Sequence, residues 1–188
     1  YQQQFGYRHI GATPADSLPV TPATLFRIAS VSKMMTTVGL MRLVEQGKLS
    51  LDQDVGIYLG FSLRNPHFPQ QAVTLRSLLS HTSSLRDAGG YAWGPERSLR
   101  DVFTAGGDAM WDTAAAPGSY FTYSNLNWGV IGTVMEKVTG ERFDLLMRRL
   151  LLDPLDVRGG YHPAAFPAED VANTATLYRK RTLETEQW

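Results

Sequence analysis

Residues 1–12, with Phe5, Tyr7 and Ile10 set among polar neighbours, are the one stretch whose pattern suits a β-strand. A lone strand forms no stable sheet. Either this stretch is not a strand, or its partners lie outside these residues. The rest of the chain reads as helix and loop. The clearest helix spans 31–46, where Met34, Val38, Met41 and Val44 recur at helical spacing and Met35, Leu40 and Leu43 extend the apolar surface round the other side. That distribution predicts a buried helix, closed by Gly47 at its C-terminal end. Residues 13–24, rich in Pro, Ala and Thr, read as loop, and so does 48–73. Thr74 is placed to cap a short helix carrying Leu75, Leu78 and Leu79. Ser98 followed by Asp101 resembles a capping box. After a loop over 106–123, a long helix is expected from about 125 to 138, with Leu126, Val130, Ile131, Val134 and Val138 in register and Gly140 ending it. A further helix over 141–151 carries Phe143, Leu146 and Leu150. The tail beyond Pro154 shows little periodicity.

Composition narrows the function classes. Of 188 residues, 43% are hydrophobic and 19% charged, an ordinary globular balance that excludes a disordered or fibrous chain. Eighteen Lys and Arg offset eighteen Asp and Glu, so the basic excess of a general nucleic-acid binder is missing. No apolar run approaches the roughly 18 residues of a transmembrane helix. There is no cysteine, which removes disulfides, thiolate nucleophiles and zinc–thiolate sites. The opening Tyr1-Gln2-Gln3-Gln4-Phe5 has neither a basic n-region nor an apolar h-region. Both termini are abrupt, and both are expected to be cut from something longer.

Three segments could carry chemistry. Ser30 stands at the start of the first helix with Lys33 one turn on, and residues three apart share a helix face. A buried lysine there would be a proton acceptor for the Ser30 hydroxyl, and the helix N-terminus favours an oxyanion. The plain alternative is that Ser30 or Ser32 caps the helix and Lys33 is solvated. Tyr123-Ser124-Asn125 opens the long helix. Its phenol could relay a proton, and its carboxamide could hold both a lysine and a substrate amide; in isolation it reads as an Asn N-cap with a packed Tyr. His81, near a helix end, reads as a structural hydrogen-bonding residue rather than a catalyst. The four histidines, His9, His67, His81 and His162, show no metal-ligand spacing, so no metal site is expected. Gly106-Gly107 lacks the rest of a phosphate loop. No cofactor is suggested.

Taken in order, these segments resemble the serine β-lactamase/penicillin-binding-protein superfamily, closest to its class C β-lactamase, DD-peptidase and esterase branch, from about residue 20 to 157. Thr21 through Lys33 looks like the branch's segment leading into Ser-x-x-Lys. Gly47 through Asp52 looks like the turn after the nucleophile helix. Val73 through Ser83 resembles its TLRHLLTHTSGL stretch, with Ser84 where the family usually has glycine. Pro117-Gly118 through Asn125 resembles the stretch bearing Tyr-x-Asn. The resemblance implies an α+β fold of the β-lactamase/transpeptidase type, with a helical region and an incomplete α/β region whose antiparallel sheet draws on both chain ends. By it, residues 1–50 hold the N-terminal part of the α/β region with the nucleophile helix, 51–155 the mainly helical region, and 156–188 the start of the return. The strand near residues 4–11 would then present an exposed sheet edge.

The same resemblance implies roles. Ser30 would be the nucleophile, and its N–H half of an oxyanion hole, a donor typically worth about 3–4 kcal/mol. Lys33 would help remove the Ser30 proton, Tyr123 would move a proton to the leaving group, and Asn125 would orient Lys33 and the substrate amide. The family's third motif, Lys-Thr-Gly or His-x-Gly on a later strand, has no counterpart after Asn125. Lys137-Val138-Thr139-Gly140 has one residue too many and lies on a helix, and His9-Ile10-Gly11 precedes the nucleophile. A longer or cleaved chain accounts for this better than a minimal enzyme. The implied activity is acyl transfer on a peptidoglycan D-Ala peptide, a β-lactam, a small ester or a D-amino-acid amide, with carboxypeptidase or esterase-like hydrolysis favoured by the branch's diversity. The implied location is periplasmic or secreted. The alternative is a non-catalytic binding or scaffold protein that kept the fold. Oligomeric state is open.

Overall fold

The structure, a computed structural model, describes residues 1–178. The chain packs as two compact units, one from Tyr1–Ala29 together with the segment beginning at Arg158, the other Ser30–Val157. The fold is α+β, mostly helical with a small antiparallel sheet.

In the first unit β1 (Tyr7–His9) pairs antiparallel with β2 (Leu18–Pro19), Tyr7 opposite Pro19 and His9 opposite Leu18. The expectation of a lone strand is therefore corrected: its partner lies in the stretch read as loop. β2 is two residues long and ends in proline, so it carries no alternation to read. A one-turn 3-10 helix, Pro14–Asp16, makes the connection. The opposite edge of β1 is not bare either. Backbone groups alternate in direction along a strand, and the Arg8 carbonyl accepts the Thr176 N–H at 2.8 Å. Short helix α7 (Ala168–Ala172) lies in the tail, where Arg158 pairs with Asp170.

The second unit contains α1 (Ser32–Glu45), α2 (Gly56–Leu59), α3 (Leu75–Leu79), α4 (Leu99–Gly106), α5 (Leu126–Thr139) and α6 (Phe143–Met147). Helix α5 is its centre and touches α1, α2, α3 and α6. Leu126, Val130, Ile131, Val134 and Met135 are buried along it, and a fully buried side chain of this kind stabilises by about 1.5–3 kcal/mol. α3 opens on a capping box: Thr74 Oγ1 accepts the Ser77 N–H at 3.1 Å and Ser77 Oγ accepts the Thr74 N–H at 3.0 Å. Ser98 caps α4 through the Asp101 N–H, but the expected capping box does not close, because the Asp101 carboxylate takes the Ser98 hydroxyl instead.

Two expectations change. Helix α1 is covered on one face only. Thr36, Gly39, Leu40 and Leu43 are buried, whereas Met34, Val38 and Met41 are 60%, 42% and 40% exposed. α1 lies so close to the 147 turn that a Cβ on Gly39 would stand 2.6 Å from Met147 Sδ. The helix expected over 141–151 is α6 followed by a wider π turn, Arg148–Leu152, which keeps Leu150, Leu151 and Leu152 all buried.

Candidate active site

All four site residues expected from the sequence meet within the second unit. Ser30 lies in a 3-10 turn, Ala29–Val31, that runs directly into α1. The N-cap residue of α1 is Val31, with no side-chain cap, so the Ser30 hydroxyl does not serve as a cap. It stands 2.9 Å from the Tyr123 hydroxyl and accepts a hydrogen bond from Lys33 Nζ at 3.1 Å. Lys33 Nζ also donates to Asn125 Oδ1 at 2.9 Å. Serine and lysine come from one turn, three residues apart; tyrosine and asparagine come from the approach to α5, two residues apart. The Trp128 indole N–H donates to the Lys33 carbonyl at 3.3 Å and joins the two helix starts. Lys33 Nζ also lies 5.0 Å from the Tyr123 ring centre and 5.5 Å from that of Trp128, within cation–π range.

Two residues frame the Tyr123–Asn125 segment from behind. His81 follows α3 in the left-handed region, φ +56. The Thr82 N–H reaches back to the Ser77 carbonyl at 2.8 Å and the His81 N–H to that of Leu78 at 3.2 Å. That double closure is a Schellman motif, whose left-handed position usually carries glycine. Here a histidine occupies it, with its ring stacked on Tyr123 at 4.5 Å. His81 Nδ1 accepts the Ser124 N–H at 3.1 Å and lies 3.2 Å from Asn127 Nδ2. An acceptor Nδ1 assigns the ring proton to Nε2. Burial first, and then the charge of Lys33, lower the His81 pKa against the opposing pull of Asp87. The hydrogen-bonding reading of His81 fits this geometry.

The second framing residue is Asp87, which the sequence did not single out. Its Oδ1 accepts the Ser124 hydroxyl at 2.7 Å and the Leu126 N–H at 3.1 Å. Its Oδ2 accepts both the backbone N–H and the side-chain Nδ2 of Asn125 at 2.9 Å. Asn125 thus occupies the N-cap position of α5 without capping it; Asp87 caps from another loop. Burial pushes the Asp87 carboxyl up, but the four donors from Ser124, Asn125 and Leu126 outweigh it and hold it below its ordinary value. Only the segment Asp87-Ala-Gly after the His-Thr-Ser stretch signals it in sequence, as an acidic residue in a turn. The Tyr123 phenol is itself held below its ordinary value, first by Lys33 and then by Ser30.

This arrangement puts an exposed hydroxyl between an ammonium and a phenol, with a carboxamide orienting the ammonium. It suits removal of a proton from Ser30 and its delivery elsewhere. Among the described residues, no group of three or more His, Asp and Glu could hold a metal ion.

The chain belongs to the Beta-lactamase family, whose model matches residues 1–186. It is 28% identical over 162 residues to D-alanyl-D-alanine-carboxypeptidase/endopeptidase AmpH of Escherichia coli (strain K12), across 81% of this chain and 40% of AmpH. The octameric penicillin-binding protein homologue from Pyrococcus abyssi superposes with a TM-score of 0.73 at 29% identity, over 96% of this chain and 41% of that one. EstCE1, a hydrolase with promiscuous acyltransferase activity, superposes with a TM-score of 0.71 at 31% identity, over 92% of this chain and 46% of that one. The chain spans about 30–40% of the length of the curated relatives it matches. The family is one of serine hydrolases.

Proposed function

We propose that the protein is a serine hydrolase acting through an acyl-enzyme on a peptidoglycan-type D-Ala peptide, a β-lactam or a small ester, in the periplasm or secreted. The observation that carries this reading is the Ser30 hydroxyl held at 2.9 Å and 3.1 Å by Tyr123 and Lys33. Ser30 Oγ attacks the substrate carbonyl carbon while Tyr123, as the phenolate, takes the Ser30 proton, and Lys33 helps by donating to Ser30 Oγ and stabilising the phenolate. Lys33 and Ser30 hold the Tyr123 pKa below its ordinary value, which raises the share of phenolate, the form that accepts the proton, near neutrality. The tetrahedral oxyanion collapses, the bond to the leaving amine or alcohol breaks, and Tyr123 returns the proton to it. Water then attacks the Ser30 ester, releasing the acid and restoring the hydroxyl. Asn125 orients Lys33 and offers the substrate amide its second amide N–H.

The test is intact-mass spectrometry of the full natural chain and of Ser30→Ala, before and after incubation with a penicillin and with an aryl ester. The proposal expects one probe mass added to the wild type and none to the variant. Ser30 is exposed and caps nothing, so Ser30→Ala should melt like the wild type. Uptake of ester but not penicillin narrows the substrate to esters. No adduct from either probe favours the non-catalytic binding reading.

A further inference from the structure

We propose that Asp87 is a positioning residue of this site, fixing which end of the Asn125 carboxamide faces Lys33. The inference rests on the serine-hydrolase reading for its kinetic consequence, though not for its geometry.

A carboxamide can present either its oxygen or its nitrogen to a neighbour. Towards an ammonium the two ends differ in sign: the oxygen accepts a hydrogen bond from Lys33 Nζ, whereas the NH2 group would set donor against donor. Lys33 cannot enforce the choice alone, because its ammonium can swing on a flexible stem. Asp87 can. Its Oδ2 takes the Asn125 backbone N–H and the Asn125 Nδ2 together, each at 2.9 Å. The backbone contact fixes where the carboxylate sits. The side-chain contact then commits the nitrogen end, leaving Oδ1 turned to Lys33 at 2.9 Å. The other carboxylate oxygen holds the residues on both sides, through the Ser124 hydroxyl and the Leu126 N–H. The carboxylate therefore receives four donors, and among the described residues it forms no ion pair with Lys, Arg or His. The N-terminal end of a 14-residue helix supplies the compensating positive field.

A purely architectural role, a cap for α5, is the competing account, and a kinetic cycle separates the two. Asp87→Asn preserves shape but brings an NH2 group where four donors converge. The Asn125 carboxamide turns over to meet it, and its own nitrogen is carried to Lys33. With the full natural chain and the probe that acylates it, Asp87→Asn should lower the acylation rate constant about a hundredfold, the loss expected of a misplaced catalytic group. Non-covalent affinity for an aryl ester, which offers Asn125 no amide, should change less than threefold. Asn125→Ala should slow the wild type comparably, yet slow Asp87→Asn by less than about threefold, because residues acting as one unit are not additive. Multiplicative losses, or losses that merely track the folded fraction in a parallel melt, would assign Asp87 to capping alone and overturn the proposal.

If the wild type takes up no probe, the hydrolase reading fails while the orientation stays testable. The Asn125 side-chain amide resonances in a nitrogen-15 spectrum should then shift with Asp87→Asn. Unmoved Asn125 amide resonances would overturn the proposal by themselves.

Discussion

Replacing Ser84 by glycine sets two rules against each other. Ser84 sits at φ +63, where a non-glycine residue costs roughly 1–2 kcal/mol, and the resembling family usually has glycine there. On backbone grounds Ser84→Gly should stabilise. Glycine, however, gains freedom in the unfolded chain, which takes back about 0.4–1 kcal/mol. The net backbone benefit is then only about 0–1.6 kcal/mol. Against it stands the Ser84 hydroxyl, which accepts a hydrogen bond from Asn65 Nδ2 at 3.0 Å. Asn65 is fully buried. Its nitrogen also donates to the Asp112 carbonyl at 2.7 Å and its oxygen accepts the His67 N–H at 2.9 Å. Removing the hydroxyl orphans one buried N–H, a loss of about 1–3 kcal/mol. The hydrogen bond wins, and Ser84→Gly should be about 1 kcal/mol less stable. Urea unfolding measures it, with a midpoint lowered by about half a molar at an unchanged slope near 2 kcal/mol/M. Asn65→Ala should be destabilising alone, and Ser84→Gly should then add little, with a coupling of at least about 0.5 kcal/mol. A glycine variant as stable as the wild type, or more stable, would refute the argument that Asn65 is what retains serine at this backbone angle.

The remaining predictions concern pH and a helix end. The folded-state pKa of His81 lies below its ordinary value of 6.5, through burial and then Lys33, so its contribution to stability is fully present above pH 6.5 and is lost as pH falls through the folded value. The charged groups facing it are Lys33 and Asp87, with Tyr123 stacked on its ring, and the window runs down from pH 6.5. Unfolding free energy should fall over that window in the wild type and less steeply in His81→Asn; equal slopes would show that His81 is not the titrating group. Gly140 ends α5 at φ +70. Gly140→Ala should cost about 1 kcal/mol in a thermal melt, and an unchanged melting temperature would count against its left-handed role.

What the sequence made legible divides by distance along the chain. The caps at Thr74 and Ser98 and the end of α5 at Gly140 all rest on contacts within a few residues, and each was readable from local chemistry; which of the two caps closes into a box was not. The pairing of Ser30 with Lys33 was readable for the same reason, since it needs only one helical turn. β2 was not readable, because two residues cannot display a period. The half-exposed state of α1 was not either: the apolar spacing of Met34, Val38 and Met41 reports which residues could be buried, while coverage depends on where other elements lie. Asp87 was invisible because its partners, Ser124, Asn125 and Leu126, lie nearly forty residues away. Its own surroundings read as an ordinary turn.

The segment from His81 to Asp87 shows why such residues escape pattern reading. Two of its positions, His81 and Ser84, break a local rule by placing a side chain in the left-handed region, at roughly 1–2 kcal/mol each. Neither choice makes sense within the segment. Each has a distant partner that only that side chain supplies: Ser124 N–H on His81 Nδ1, Asn65 Nδ2 on Ser84 Oγ. Asp87 adds the cap on α5. The contacts of His81 and Asp87 therefore fix the start of α5 and, with it, Tyr123 and Asn125, while that of Ser84 ties the same loop to Asn65. Strain of this kind persists only where the surroundings over-determine it, and it concentrates beside the groups whose geometry matters most. A left-handed histidine, a left-handed serine and a carboxylate with no ion pair among the described residues, all within seven residues, thus identify the loop that holds the site in register. Substitutions there should disturb the Ser30–Tyr123 distance more than equally destabilising changes on the exposed face of α1.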